Sequence, residues 1–205
     1  MARRAHRRRE GLRRGEGGRR RVITRDEAFA LVEERIPQRN LVNHSVAVEI
    51  IMGALARHLG KCAEEVEGWE LAGLLHDLDY AETADDPDRH GLLTAQALEG
   101  LVDERIIHAI LGHADKAPRE SDMDDALWCA DPTTGFIVAA ALVRPEKDLA
   151  GVTLKSLKKR WKESAFAKGA SREQMAGCEK LGIERDEYLQ LALDAMQARA
   201  AEVGL

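Results

Sequence analysis

LAGLLHDLDYAETADDPDRHG, residues 71–91, closes an apolar run on an imidazole and a carboxylate, His76 and Asp77. Burying that pair at the end of a Leu-rich helix is costly unless each group is paired or bound to a metal. A carboxylate has two oxygens. Asp77 can therefore serve one ion through each and hold two ions about 3.5–4 Å apart, the spacing used by two-metal hydrolases. Imidazoles and acids recur at His44, His90, His113 and Asp131. That ligand set suits Zn, Fe, Mn or Mg rather than thiolate-loving ions.

Working outward, the chain reads as helix in nearly every segment. Thr24 with Glu27 makes a capping box that opens a helix to about Arg35, ended by Pro37. Asn40 is the expected cap of a second helix to about Leu59, with Gly60 as its stop and Val42, Val46, Ile50 and Leu55 as its apolar stripe. A third helix, about Ala63–Leu75, delivers His76–Asp77 at its end. Tyr80–Asp88 is acidic and reads as a loop over the mouth of the site. Further helices are expected from His90 to Gly100, Asp103 to His113 and Asp124 to Val143. Three more follow, near Leu154–Phe166, Arg172–Leu181 (capped by Ser171) and Arg185–Val203. The sum is eight or nine helices, no convincing strand, and a single all-α domain with helices packed around a polar centre.

Composition divides the chain in two. Residues 1–21 hold ten Arg and two Glu, a balance of +8, whereas the remainder carries 21 basic and 34 acidic residues, a balance of −13. The arm has almost no apolar residues and cannot fold alone, so residues 1–21 read as a disordered tail and 22–205 as the helical domain. An Arg-rich arm also fits a tether for nucleic acid or an anionic membrane. We favour the plain tail, because folded-looking sequence begins near Val22. No apolar stretch reaches the ~18 residues of a transmembrane helix. Cys62, Cys129 and Cys178 form no CxxC pair, which points to a reducing, cytoplasmic setting and away from a thiolate zinc site.

The seven histidines are not equivalent. His6 lies in the arm, and His58 sits in the last turn of its helix, where a cation suits the dipole. His44 taken alone reads as a satisfied core histidine. His108 and His113 are five apart, about 140° around a helix, so one faces the site; we choose His113, beside a loop, and assign His108 to packing. Asp131 lies between the apolar runs 127–130 and 136–142, where an unpaired buried carboxylate would be expensive.

His44, His76–Asp77 and Asp131 together resemble the H…HD…D signature of the HD superfamily of metal-dependent phosphohydrolases, and His90 and His113 resemble the extra histidines of its binuclear members. LAGLLHDLDYAET, DDPDRHGL, ADPTTGFIVAAALVRP and VTLKSLKKRWKESAFAKG extend the similarity over roughly Val22–Leu205, toward a family of small bacterial and archaeal HD hydrolases. HDLDY stands where cyclic-di-GMP phosphodiesterases carry HD…GYP, so the likeness does not extend to that activity. The resemblance implies a helical bundle and a divalent metal centre of two ions, from among Mn, Fe, Zn, Mg, Co or Ni. His44, His76, Asp77 and Asp131 would hold the first ion, and Asp77 would bridge to a second held by His90 and His113.

The implied reaction is hydrolysis of a phosphate ester, nucleotide or related metabolite, by a metal-activated hydroxide, with His76 and Asp77 at its centre. Two divalent ions, two carboxylates and a bridging hydroxide leave a net positive site that attracts phosphate. Lys155 and Lys158, on a helix crowded with Lys159 and Lys162, are candidates for gripping substrate, joined by Arg89 and by Thr133 and its neighbour Thr134. For any single lysine of the group a solvated basic face is the slightly favoured reading. Two rivals stand beside this reading: a di-iron oxygenase on the same scaffold, and a non-catalytic metal- or nucleotide-binding module.

Overall fold

A computed structural model describes residues 23–205. The Arg-rich arm therefore lies outside the described residues. Ten α-helices and two 3-10 turns follow in order, with no strand among the described residues: α1 Arg25–Arg35, α2 Arg39–His58, α3 Ala63–Leu75, α4 Tyr80–Thr83, α5 Leu92–Leu98, α6 Glu104–His113, α7 Asp122–Leu142, α8 Leu154–Trp161, α9 Arg172–Ala176 and α10 Arg185–Ala198. The 3-10 turns are Gly177–Leu181 and Ala200–Val203. The all-α expectation holds, and α4, a single turn, lies inside the segment read as a loop.

Local chemistry sets the helix ends. Capping boxes close the N-termini of α1 (Thr24 with Glu27), α3 (Cys62 with Glu65), α7 (Ser121 with Asp124) and α8 (Thr153 with Ser156). Each satisfies orphan N–H groups of a first turn. Several boundaries differ from the sequence reading. Gln38, not Asn40, precedes α2, and its side chain makes no cap bond. Gly91 takes φ +78°, so α5 starts after it rather than at His90. Trp161 ends α8 early, because residues 162–170 coil into turns gathered by Arg172. Both C-terminal helices finish in a tighter 3-10 turn.

The bundle is built on α2, α3 and α7. Helices α2 and α3 approach so closely that a Cβ on Gly73 would lie 2.8 Å from the backbone of Val48 and Glu49. Ile51, Met52 and Leu55 from α2, Leu74 and Leu75 from α3, and Phe136 and Ile137 from α7 are all essentially sealed from water. Helix α1 lies on α3, α6 on α7, and α10 on α2, α7 and α8. An ion pair half-buried at the edge of this framework ties α1 to α2: Glu49, 2% exposed, accepts from Arg25 Nε at 2.8 Å and lies 3.7 Å from Arg199.

Candidate metal centre

Five chain segments deliver the polar cluster. His44 stands on α2, His76 and Asp77 follow α3 directly, His90 sits in the turn before Gly91, His113 ends α6, and Asp131 lies midway along α7. Asp77 is the hub. Its Oδ2 faces His76 Nε2 at 3.4 Å and His44 Nε2 at 3.7 Å, and its Oδ1 faces His90 Nε2 at 3.4 Å and His113 Nε2 at 3.6 Å. Asp131 Oδ1 joins the first group, 3.1 Å from His44 Nε2 and 3.9 Å from His76 Nε2. Metal–ligand bonds of about 2.1 Å put neighbouring donors about 3.0–3.4 Å apart, close to these separations. Two triads could each hold an ion, His44–His76–Asp77 and Asp77–His90–His113, with Asp77 common to both.

The four histidines of the cluster are turned the same way. Nδ1 of His76 donates to the Gly73 carbonyl at 2.8 Å, and Nδ1 of His113 donates to that of Ile110. Nδ1 of His90 donates to Asp79 Oδ1 at 2.9 Å. The Thr134 hydroxyl gives its hydrogen to the Asp131 carbonyl, so it accepts from His44 Nδ1 at 2.8 Å. With all four hydrogens committed on Nδ1, all four Nε2 lone pairs point inward. This outer layer is what fixes the tautomer of ligating histidines. Nε2 of His76 and of His113 are buried with no hydrogen-bond partner. Leaving such atoms orphaned is expensive, and a cation is the partner their lone pairs fit.

The electrostatics sort the groups. Burial lowers His44 and His90, but the carboxylates of Asp131, Asp77 and Asp79 outweigh it and raise both above the usual value. Burial pushes the His76 imidazole down to about 4, which keeps it neutral and able to donate its lone pair at ordinary pH. Burial pushes Asp77 the other way, yet in acid the protonated imidazoles of His76, His113 and His44 outweigh it and hold the carboxyl well below its usual range. For Asp79, burial is likewise outweighed by the bonds from His90 and the Thr94 backbone, so it too is held low. The Asp77 carboxylate, which faces both positions, is thus ionised and matches a dication, while that of Asp79 is held behind His90.

Asp131 departs from expectation in one respect. Its side chain is one-third exposed rather than buried, so the site opens to solvent beside it and His44. Thr133 is corrected. Its hydroxyl is wholly buried, donates to the Cys129 carbonyl at 2.7 Å and accepts from Tyr188 at 2.9 Å, which leaves it nothing for a substrate. Lys155 and Lys158 lie on the exposed side of α8, and Lys158 is engaged with Asp186 of α10 at 2.5 Å. Neither pairs with Asp77 or Asp131. Arg89 is exposed next to His90 and lies 3.8 Å from Asp86. His108 binds Asp124, outside the cluster, and His58 lies near Glu187.

Sequence reasoning missed Asp79 as a positioning group. It is 2% exposed, fixes His90, and accepts from the Thr94 backbone at 3.0 Å. The available signal was the second acid of HDLD, two residues after Asp77. Thr134 was considered for substrate, whereas the structure puts its hydroxyl behind His44.

A helical bundle that gathers four imidazoles and two carboxylates around one shared aspartate is a metal-binding enzyme scaffold. The family model for the HD domain matches residues 41–156, and the chain belongs to that family of metal-dependent hydrolases. All six clustered residues fall inside the matched span. No curated protein and no solved structure matches the chain.

Proposed function

We propose that this protein hydrolyses a phosphate ester of a small metabolite at a binuclear metal centre. The observation that carries the reading is the division of labour at Asp77, whose two oxygens each face a separate pair of histidines. Divalent ions there would supply Lewis-acid polarisation of phosphoryl oxygens and a water of lowered pKa.

The chain's own residues do the rest. His44, His76 and Asp131 hold one position, His90 and His113 the other, and Asp77 ties them together. Gly73, Ile110, Asp79 and Thr134 fix the rings, so little reorganisation is needed when an anion arrives. Burial is lopsided: His76 and His113 are sealed, while the His44, His90 and Asp131 side chains are 22%, 21% and 33% exposed. Substrate therefore enters from that open side. An acidic body repels phosphate in general, so attraction is confined to the cluster. Arg89, beside His90, is a candidate cation at the same rim; Lys155 and Lys158 retain that role only if they act from α8.

The test is turnover of bis-p-nitrophenyl phosphate and 4-nitrophenyl phosphate after loading with Mn²⁺, Fe²⁺ or Co²⁺. Release of nitrophenol that disappears with chelation supports the reading. Oxygen consumption by the iron-loaded protein without ester hydrolysis would replace it with an oxygenase.

A further inference from the structure

The four imidazoles of the cluster form a continuous arc of rings, and a fifth ring extends it. His44 meets His76 with centroids 5.2 Å apart, His76 meets His113 at 5.1 Å, and His113 meets His90 at 5.1 Å. Tyr80 then stands edge-on to His90, with centroids 6.0 Å apart and planes at 86°. The middle of the arc is sealed and this end is open. His76 is wholly buried, the His90 side chain is 21% exposed, and Tyr80 is 40% exposed. Tyr80 therefore forms the rim beside the second metal position.

The chain has three Trp, two Tyr and three Phe, and Tyr80 is the exception among them. Every Trp and Phe has a lysine or arginine over its ring, as Arg119 lies over Trp128 at 4.0 Å and Arg172 over Phe136 at 4.4 Å. Tyr188 is wholly buried, and its hydroxyl donates to Thr133. Among the described residues, Tyr80 alone is an aromatic with neither burial nor a cation over it; its ring contact is with His90. Its backbone is nonetheless anchored to the site. The Tyr80 N–H donates to the Asp77 carbonyl at 2.9 Å, and the residue before it, Asp79, accepts from His90 Nδ1. An aromatic ring fixed at the mouth of a site and left open to water is a stacking surface for a flat ligand.

The chemistry around Tyr80 narrows the class of that ligand. Tyr80 and His90 are in contact, so the loop between them leaves the cluster and returns to it. That loop carries Glu82, Asp85, Asp86 and Asp88 against Arg89, and a leaving group with phosphates of its own would approach like charge. A nucleobase is flat and uncharged, is carried on phosphate esters, and offers a π-face whatever its sequence. The His90 ring sets Tyr80 back from Asp77, as a sugar sets a base back from its phosphate. We propose that Tyr80 determines specificity by stacking on the base of a nucleoside leaving group while the metal positions take the phosphate. This rests on the phosphate-ester reading above and adds the class of substrate to it.

The experiment uses the full-length, Mn²⁺-loaded protein, with a nitrophenyl ester as reporter and adenosine 5′-monophosphate and ribose 5-phosphate as competitors. The competitors share sugar and phosphate and differ by the base. Metal content is measured for every variant. In the wild type the nucleotide should compete about tenfold better than the sugar phosphate. Tyr80→Ala should abolish that ratio, weakening the nucleotide about tenfold while leaving ribose 5-phosphate within about twofold and metal content unchanged. Tyr80→Phe and Tyr80→Trp should keep the ratio, because the ring does the stacking. A wild type that binds both competitors equally, or a Tyr80→Ala variant that keeps the ratio, overturns the proposal and leaves the hydrolase standing. Loss of metal in Tyr80→Ala, with both competitors weakened alike, would make Tyr80 a prop for His90 and also overturns it. A metal-loaded wild type that cleaves no nitrophenyl ester overturns both readings.

Discussion

At the scale of single residues, the decisive fact is that each imidazole hydrogen is spoken for away from the centre. Asp79 does this for His90 and is the clearest case to test. Asp79→Ala removes the acceptor at 2.9 Å and leaves the Thr94 N–H unpaired. Loss of such an outer partner typically weakens metal binding 10–100-fold. The second ion should therefore be lost first, and metal content should fall from two toward one per chain, with a stability loss of about 1–3 kcal/mol. Full retention of both ions would show that His90 needs no anchor. The clustering of the candidate ligands His44, His76, Asp77, His90, His113 and Asp131 was legible because imidazoles and acids are conspicuous inside apolar helices. Asp79 and Thr134 were not, since an outer acid or hydroxyl in sequence looks like any surface polar group. Thr133 was misread for a related reason: only its bond with Tyr188, fifty-five residues away, reveals that its hydroxyl is occupied.

At the scale of elements, α2 and α3 carry the account. Gly73 permits their contact and, through its carbonyl, sets the tautomer of His76 one turn later. A methyl group at 2.8 Å from the α2 backbone cannot be accommodated by a flexible side chain. Gly73→Ala should destabilise by about 1–3 kcal/mol, read from urea unfolding, and should also lower metal affinity by shifting His76. An unchanged unfolding midpoint would mean that the two helices slide apart freely. Helix cores were readable from capping boxes and apolar spacing, as at Thr24–Glu27 and along α3. Ends that depend on tertiary packing were not. Helix α8 stops at Trp161 because Arg172 draws the following carbonyls inward, which a window of local sequence does not reveal.

At the scale of the whole molecule, two of the three thiols are built into the core. Burial raises Cys129 from 9.0 to about 12 and Cys178 from 9.0 to about 11, and Tyr188 shifts upward as well. Between those values the unfolded chain releases its thiol protons while the folded chain keeps them. Raising the pH from 9 toward 12 thus favours unfolding. Stability measured by denaturant should be level below pH 9 and decline above it. A thiol reagent at neutral pH should modify exposed Cys62 promptly, and Cys129 and Cys178 only on unfolding. Rapid modification of all three would contradict the packing of α7.

The central claim is that one aspartate joins two metal positions. Its most direct test is elemental analysis of gently purified wild-type protein and of Asp77→Ala, alongside circular dichroism to show that both are folded. The account predicts close to two divalent ions per wild-type chain, and loss of both metal and phosphatase activity in the folded variant. Full metal content in Asp77→Ala, or a folded wild type that binds no divalent ion at any pH where its histidines are neutral, would contradict it.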